Sequence, residues 1–353
     1  MSHLAEPPAS TEGLPASARP ALSVENLTVV YDTPAGPVKA VDDVTFSLRP
    51  GERLGIIGES GSGKTTLATA LLRLTRRPGR LVGGRIVLDG RDITALRDSE
   101  LRAIRLREIA LVPQGAMNSL SPVMRVREQL VDGLLAHGER GSVRQLDERV
   151  AAFLARVGLD ASIARRYPHQ LSGGQKQRVV MAIATSLEPK VIVADEPTSA
   201  LDVVVQRQVM HTLGRLQAGL GAAVVLIGHD MGLIAQFADT VGVMYAGRLV
   251  ELGPVADVIA NPLHPYARLL IDSLPSLEAK KELVGIPGLP PALLELPPGC
   301  TFHPRCPFAF DRCSIEIPAF SPMSTVRAVA CHLYPLHSSL PAGPGTAASR
   351  PNP

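Results

Sequence analysis

The chain of 353 residues has no tryptophan, and aromatic residues make up only 3 % of it. So little ring surface offers no stacking platform for bases, and a net charge of +3 gives no reason to expect nucleic acid as a partner. No run approaches the ~18 apolar residues that a membrane-spanning helix needs. The longest apolar clusters, such as "VIVA" and "AAVVLI", are short and read as buried strands. Cysteine is absent before residue 300. The opening "MSHLAEPPASTEGLPASARP" lacks a charged segment followed by an apolar one, so no signal peptide is expected there. Its Pro, Ala and Ser content predicts a disordered tail over 1–20, and the cytoplasm is the expected compartment.

Hydrophobic residues make up 45 % of the chain, enough for a large core. Residues 21–31 and 41–48 alternate apolar and polar side chains and predict antiparallel strands. "ERLGIIG" predicts a buried strand, and "KTTLATALLRL" has helical spacing. A further strand pair is expected around "GGRIVLDG". Residues 124–170 read as helical and Arg-rich, with the amphipathic segment "LDERVAAFLARVGL". Strands return at "KVIVAD" and "AAVVLIG", separated by the helix-like "VVVQRQVMHTLGRLQAGL". Strands alternating with helices predict an α/β domain whose parallel sheet is covered on both faces. After Pro275 periodicity fades and a loop-rich stretch is expected.

Gly58–Thr65, "GESGSGKT", matches G-x-x-x-x-G-K-[ST] between a predicted strand and a predicted helix. Gly58, Gly61 and Gly63, with Ser60 and Ser62 between them, let backbone N–H groups form one nest around a phosphate. The helix start at Lys64, Thr65 and Thr66 adds a favourable field for anions. Lys64 supplies a mobile positive charge, and Thr65 offers a hydroxyl to Mg²⁺. In "VIVADEP", Asp195 follows four apolar residues and can hold the metal. Glu196 comes next, where a carboxylate can orient or deprotonate an attacking water.

A second glycine-rich stretch, "LSGGQ", begins more than a hundred residues later. Two copies of the domain placed head to tail would set Ser172, Gly173 and Gly174 of one against the γ-phosphate held by the other.

"LSGGQKQR" followed by "VIVADEPTSALD" resembles the signature, Walker B and D-loop of ATP-binding-cassette (ABC) ATPases. The resemblance implies further roles. Tyr31 would stack on adenine. Gln114 would sense Mg²⁺ and the γ-phosphate and border a membrane partner. Gln175 completes the signature, Asp202 would cross the dimer interface, and His229 would contact the γ-phosphate. Gly228 stands where Thr is usual, and Pro113 where Phe is. The implied fold is an α/β P-loop ABC ATPase. It has a mixed core sheet, an antiparallel β subdomain, a helical subdomain and an irregular cysteine-containing C-terminal extension. The ATPase domain is expected over 21–274, with its helical subdomain over about 115–172. The extension is expected over 275–335 and a disordered tail over 336–353.

"QGAMNSLSPVMRVREQL", "NPLHPYARLLIDSLP" and the tail cysteines resemble the dipeptide/oligopeptide importer branch. That implies ATP and Mg²⁺ as ligands, and Glu196, His229, Gln114 and Lys64 as the catalytic set. Thr65, Gln114 and Asp195 are the expected Mg²⁺ ligands. It also implies a second, related ATPase subunit, two membrane-spanning permease subunits and, indirectly, an extracytoplasmic solute-binding protein. The chain would sit peripherally on the cytoplasmic face of the membrane, with residues 114–128 facing the permease. Nickel or another small solute is an alternative cargo, and a non-transport ABC ATPase an alternative class.

Cys300, Cys306, Cys313 and Cys331 follow the pattern C-x5-C-x6-C-x17-C. A reducing cytosol disfavours disulfides. Structural zinc usually shows close C-x2–4-C pairs, which are absent, though zinc stays open. Four thiolates can hold a [4Fe–4S] cluster, and the family resemblance implies the same. His303 and His332 are neighbours that could substitute as ligands.

Overall fold

Alternation of apolar and polar side chains makes β1 (Leu22–Thr33) and β2 (Gly36–Leu48) an antiparallel pair. The chain then enters β3 (Arg53–Ile57), buried from Leu54 onward, and α1 (Lys64–Leu71). β4 (Gly79–Leu88) returns to pair with β1, and β5 (Arg91–Asp92) pairs with β4. These four strands form one antiparallel sheet in the order β2-β1-β4-β5. The structure, a computed structural model, describes residues 19–115, 119–273 and 285–334. Apart from Arg19 and Pro20, the tails expected over 1–20 and 336–353 lie outside the described residues.

α2 (Asp98–Ile104) leads to β6 (Ile109–Val112), then α3 (Val126–Ala136) and α4 (Val143–Arg156). In α4 the buried Leu146, Val150, Phe153 and Leu154 recur at helical spacing, and Ser142 with Gln145 forms the capping box that starts the helix. Each such side chain, removed fully from water, contributes about 1.5–3 kcal/mol. Two 3-10 turns, Ala161–Arg165 and Pro168–Gln170, lead into α5 (Gly173–Ala184). β7 (Val191–Asp195) and β8 (Ala223–Ile227), joined by α6 (Val203–Leu220), are buried at every residue. That is why they read as continuous apolar runs. α7 (Met231–Phe237), β9 (Thr240–Tyr245), β10 (Arg248–Pro254), α8 (Val255–Ala260) and α9 (Pro265–Asp272) follow.

The second sheet is mixed. β6, β7, β8, β3 and β9 run parallel in that spatial order, and β10 closes against β9 antiparallel. The expected strands around the phosphate loop are all present. The C-terminal stretch, expected to be loop-rich, carries two short strands among its loops. Its β11 (Ser321–Pro322) and β12 (Ala328–Val329) extend this sheet, with Glu251 opposite Val329 and Leu252 opposite Ala328. Two-residue strands carry no periodicity, so the sequence could not announce them.

This added edge is fastened by a buried ion pair. Glu251 is fully buried, and its carboxylate accepts from Arg327 at 2.7 Å and from the His264 N–H at 2.8 Å. Arg327→Ala strands that carboxylate, so a loss of about 3–5 kcal/mol is expected. A fall in the urea midpoint measures it, and an unchanged midpoint would show that the pair does not hold the edge.

Candidate active site

β3 ends where the backbone must turn sharply, and Gly58 and Gly63 make the turn with φ of 155° and 100°. A Cβ on Gly58 would stand 2.1 Å from the Met244 carbonyl, and one on Gly63 would stand 2.1 Å from the Ala40 carbonyl. Only glycine fits either position. The loop Gly58–Gly63 thus passes from β3 to α1, with Ser60 and Gly61 exposed and Ser62 buried. Lys64 is 6 % exposed, and its Nζ donates to the carbonyls of Gly58 and Glu59 at 2.8 and 2.7 Å. Burial lowers its pKa, against the pull of the Glu196, Asp195 and Glu59 carboxylates. Thr65 and Thr66 follow in the first turn of α1.

β7 delivers the acids to the same place. The Thr65 hydroxyl donates to Asp195 Oδ1 at 3.4 Å. Burial pushes the Asp195 carboxyl up to about 6. Glu196 leaves the strand in the left-handed region, φ 42°, which turns its side chain away from the path of Asp195. Gln114 Nε2, at the end of β6, donates to Glu196 Oε2 at 3.0 Å. His229 Nδ1, after β8, stands 3.5 Å from Glu196 Oε1. Three strand ends therefore meet at one carboxylate beside the phosphate loop. A buried acid next to a hydroxyl and a glycine nest fits Mg²⁺ with a triphosphate, and Thr65, Asp195 and Gln114 are the residues that would hold the metal.

Other expected residues have local partners. Ser172 caps α5: its hydroxyl accepts from the Gln175 N–H at 3.3 Å, and Gln175 Oε1 accepts from the Ser172 N–H at 3.0 Å. Gly173 and Gly174 form the first turn of that helix. Asp202 caps α6 by accepting from the N–H groups of Val204 and Val205. Tyr31, near the end of β1, lies against Gly79, where a Cβ would approach its Cε1 to 2.7 Å. The segment expected to face a membrane partner is only partly exposed. Leu120 and Val126, the first residue of α3, are buried in the core, whereas Val123 is 81 % exposed, and residues 116–118 lie outside the described residues.

The four cysteines expected to hold a metal centre lie together in the extension but are not gathered at one point. Among the described residues no three or more His, Cys, Asp or Glu side chains come together as a metal site. Cys300 lies within electrostatic reach of Cys331, Cys313 and Cys306, but burial pushes its thiol up to about 11 and raises Cys306 and Cys331 as well. His303 and His332 each direct one ring nitrogen to a backbone carbonyl, of Cys300 and Glu316 respectively.

Residues 41–199 match the ABC transporter family, and residues 250–313 match the oligopeptide/dipeptide transporter C-terminal region. Over 315 residues the chain is 42 % identical to the dipeptide transport ATP-binding protein DppD of Caldanaerobacter subterraneus, covering 89 % of this chain and 97 % of that one. It is 44 % identical over 313 residues to the oligopeptide transport ATP-binding protein OppD of Salmonella typhimurium, covering 87 % and 93 %. The chain belongs to the ATP-binding subunits of ABC transporters. The dimeric cassette MJ0796, in a post-hydrolysis state bound to ADP and Pi, superposes with a TM-score of 0.60 at 28 % identity, covering 66 % of this chain and 98 % of that one.

The phosphate loop of this ABC subunit has a contact that the motifs do not reveal. Tyr266 of "HPY" accepts from the Glu59 N–H at 2.8 Å, 207 residues away. Its signal was the segment "NPLHPYARLL", but nothing local shows where that tyrosine points.

Asp195 gives a pH prediction. The folded protein holds this proton more tightly than the unfolded chain, so its contribution to stability falls as pH rises from about 4 to about 6. Asp195→Asn, without the charge, should be more stable than wild type by about 3 kcal/mol at pH 7.5 without metal. Denaturant melts should show that gain fading toward pH 4, and no gain at pH 7.5 would contradict the burial cost.

Proposed function

We propose that this ABC ATPase subunit powers import of peptides, working at the cytoplasmic face of the membrane beneath two permease subunits. A related second ATPase subunit would complete the pair, and an extracytoplasmic binding protein would deliver the solute. The carrying observation is the convergence of Gln114 and His229 on Glu196, beside Thr65, Asp195 and Lys64. The peptide names of the matched relatives favour peptides over nickel or another small solute. The match to a transporter C-terminal region favours transport over a non-transport ABC role. No helix among the described residues is long and apolar enough to cross a membrane, which is why separate permease subunits belong in this reading.

The loop from Gly58 to Thr66 cradles the phosphates, and Lys64 turns its ammonium from the loop carbonyls toward them. Mg²⁺ held by Thr65, Asp195 and Gln114 would neutralise charge on the phosphates. Glu196 accepts a proton from the attacking water, and Gln114 and His229 fix its two oxygens. Tyr31 offers a ring for adenine. Ser172, Gly173, Gly174 and Gln175 act in trans, closing over ATP held by the facing subunit, with Asp202 at the seam. Closing the dimer reorients the permease, and hydrolysis releases it. Val123 is exposed where docking is proposed, whereas Leu120 serves the core.

Glu196→Gln tests the central role. ATP binding should persist while hydrolysis slows by roughly 10²–10⁴-fold, the range for a positioned base, and ATP-bound dimers should accumulate. Near-normal turnover by the variant complex would remove Glu196 from this role.

A [4Fe–4S] cluster on Cys300, Cys306, Cys313 and Cys331 is a separate proposal, and it carries no step of ATP turnover. Its support is the reach of three thiols to Cys300 and the spacing of all four. Anaerobically purified protein should contain about four irons per chain. Stoichiometric zinc, or no metal, would rule the cluster out.

A further inference from the structure

The C-terminal extension touches the phosphate loop through Arg305. This residue ends the 3-10 turn His303–Arg305, one position before Cys306, and its side chain is 6 % exposed. Its Nη1 and Nη2 donate to Glu59 Oε2 and Oε1 at 2.7 and 2.9 Å, a two-pronged grip. Nη1 also donates to the Tyr245 hydroxyl at 3.2 Å, and Nε donates to the Pro287 carbonyl at 2.7 Å. The guanidinium lies over the rings of Tyr245 and Phe302, at 5.8 and 5.9 Å. These partners fix its position more firmly than a surface pair would be fixed.

Glu59 is held at every polar group it has. Its N–H donates to Tyr266, its carbonyl accepts from Lys64 and from the Ser62 N–H at 3.2 Å, and its carboxylate accepts from Arg305. Lys64 is the side-chain holder that the triphosphate itself would recruit. Once Lys64 turns to the phosphates, Tyr266 and Arg305 are the side chains that remain to keep Glu59 in place, beside the loop's own Ser62 N–H. The Glu59 carboxylate is also a negative charge in an anion-binding loop, and its field is felt at Lys64. Without a cation beside it, it would oppose the triphosphate.

We infer that Arg305 is a positioning residue of the ATP site: it holds the phosphate loop through Glu59 and neutralises that carboxylate. The inference rests on the ATPase function proposed above. It gives the extension a part in nucleotide binding, independent of any metal on its cysteines.

The test is a double-mutant cycle on the full chain, reading the Kd of a fluorescent ATP analogue with Mg²⁺ alongside the melting temperature. Arg305→Met keeps an apolar stem between the two rings but removes the charge. It should weaken binding about 10-fold, the order expected for a charged hydrogen-bonded pair. Glu59→Gln removes the opposing charge, so the double variant should bind within about threefold of Glu59→Gln alone. Arg305→Lys keeps the charge without the fork and should fall between wild type and Arg305→Met, which serves if the Met variant does not fold. A lower melting temperature with unchanged Kd would overturn the inference and leave Arg305 a structural staple. So would a loss of binding that Glu59→Gln fails to rescue. Wild-type chain that did not bind the analogue would overturn the proposed function itself.

Discussion

The site is organised around an ammonium group taken out of water. Lys64 is 6 % exposed, and burial alone would drive it toward its neutral form. Two loop carbonyls and the Ser62 hydroxyl accept its hydrogen bonds, and the carboxylates of Glu196, Asp195 and Glu59 favour its charge. Each of those groups depends on a larger element. The carbonyls face inward because Gly58 and Gly63 adopt conformations closed to other residues. Asp195 and Glu196 arrive because β7 is buried along its whole length and stops beside β8. The charges of the site and the apolar sheet are thus one arrangement: the sheet removes water, and the removal of water requires the charges to be matched.

The parts legible in sequence were those set by local geometry. The phosphate loop needs its glycines at fixed spacing, and β7 and β8 need uninterrupted apolar residues, so both announce themselves. The motif order placed Gln114 and His229 near the γ-phosphate, but that both side chains meet Glu196 depends on three strand ends lying side by side, which no motif records. The positive φ of Glu196 has no compositional signal, since glutamate rarely adopts it. Long-range anchors were invisible for a plainer reason. Tyr266 and Arg305 reach Glu59 across 207 and 246 residues, and no periodicity spans such a distance. Leu120 sat in a stretch read as a docking surface and turned out to fill the core, because a loop can carry one apolar anchor between exposed neighbours.

The signature stretch raises a conflict between two uses of one serine. In the single chain its hydroxyl is already engaged, accepting from the Gln175 N–H as the cap of α5. A hydroxyl has two acceptor lone pairs and one proton to donate. The cap uses a lone pair, so the proton stays free for a phosphate oxygen, and the two uses are compatible. The first N–H groups of α5 point the same way, since a helix start leaves them without intrahelical partners. Gly174 adds a mechanical link. A Cβ there would stand 2.5 Å from Cγ1 of Val205, in the first turn of α6 just after Asp202. With no side chain between them, α5 and α6 pack at their starting turns, so the signature and the D-loop are fastened to each other. A facing subunit that pressed on Asp202 would displace Ser172 with it, and this joins the seam of the proposed dimer to the donors that close over its nucleotide.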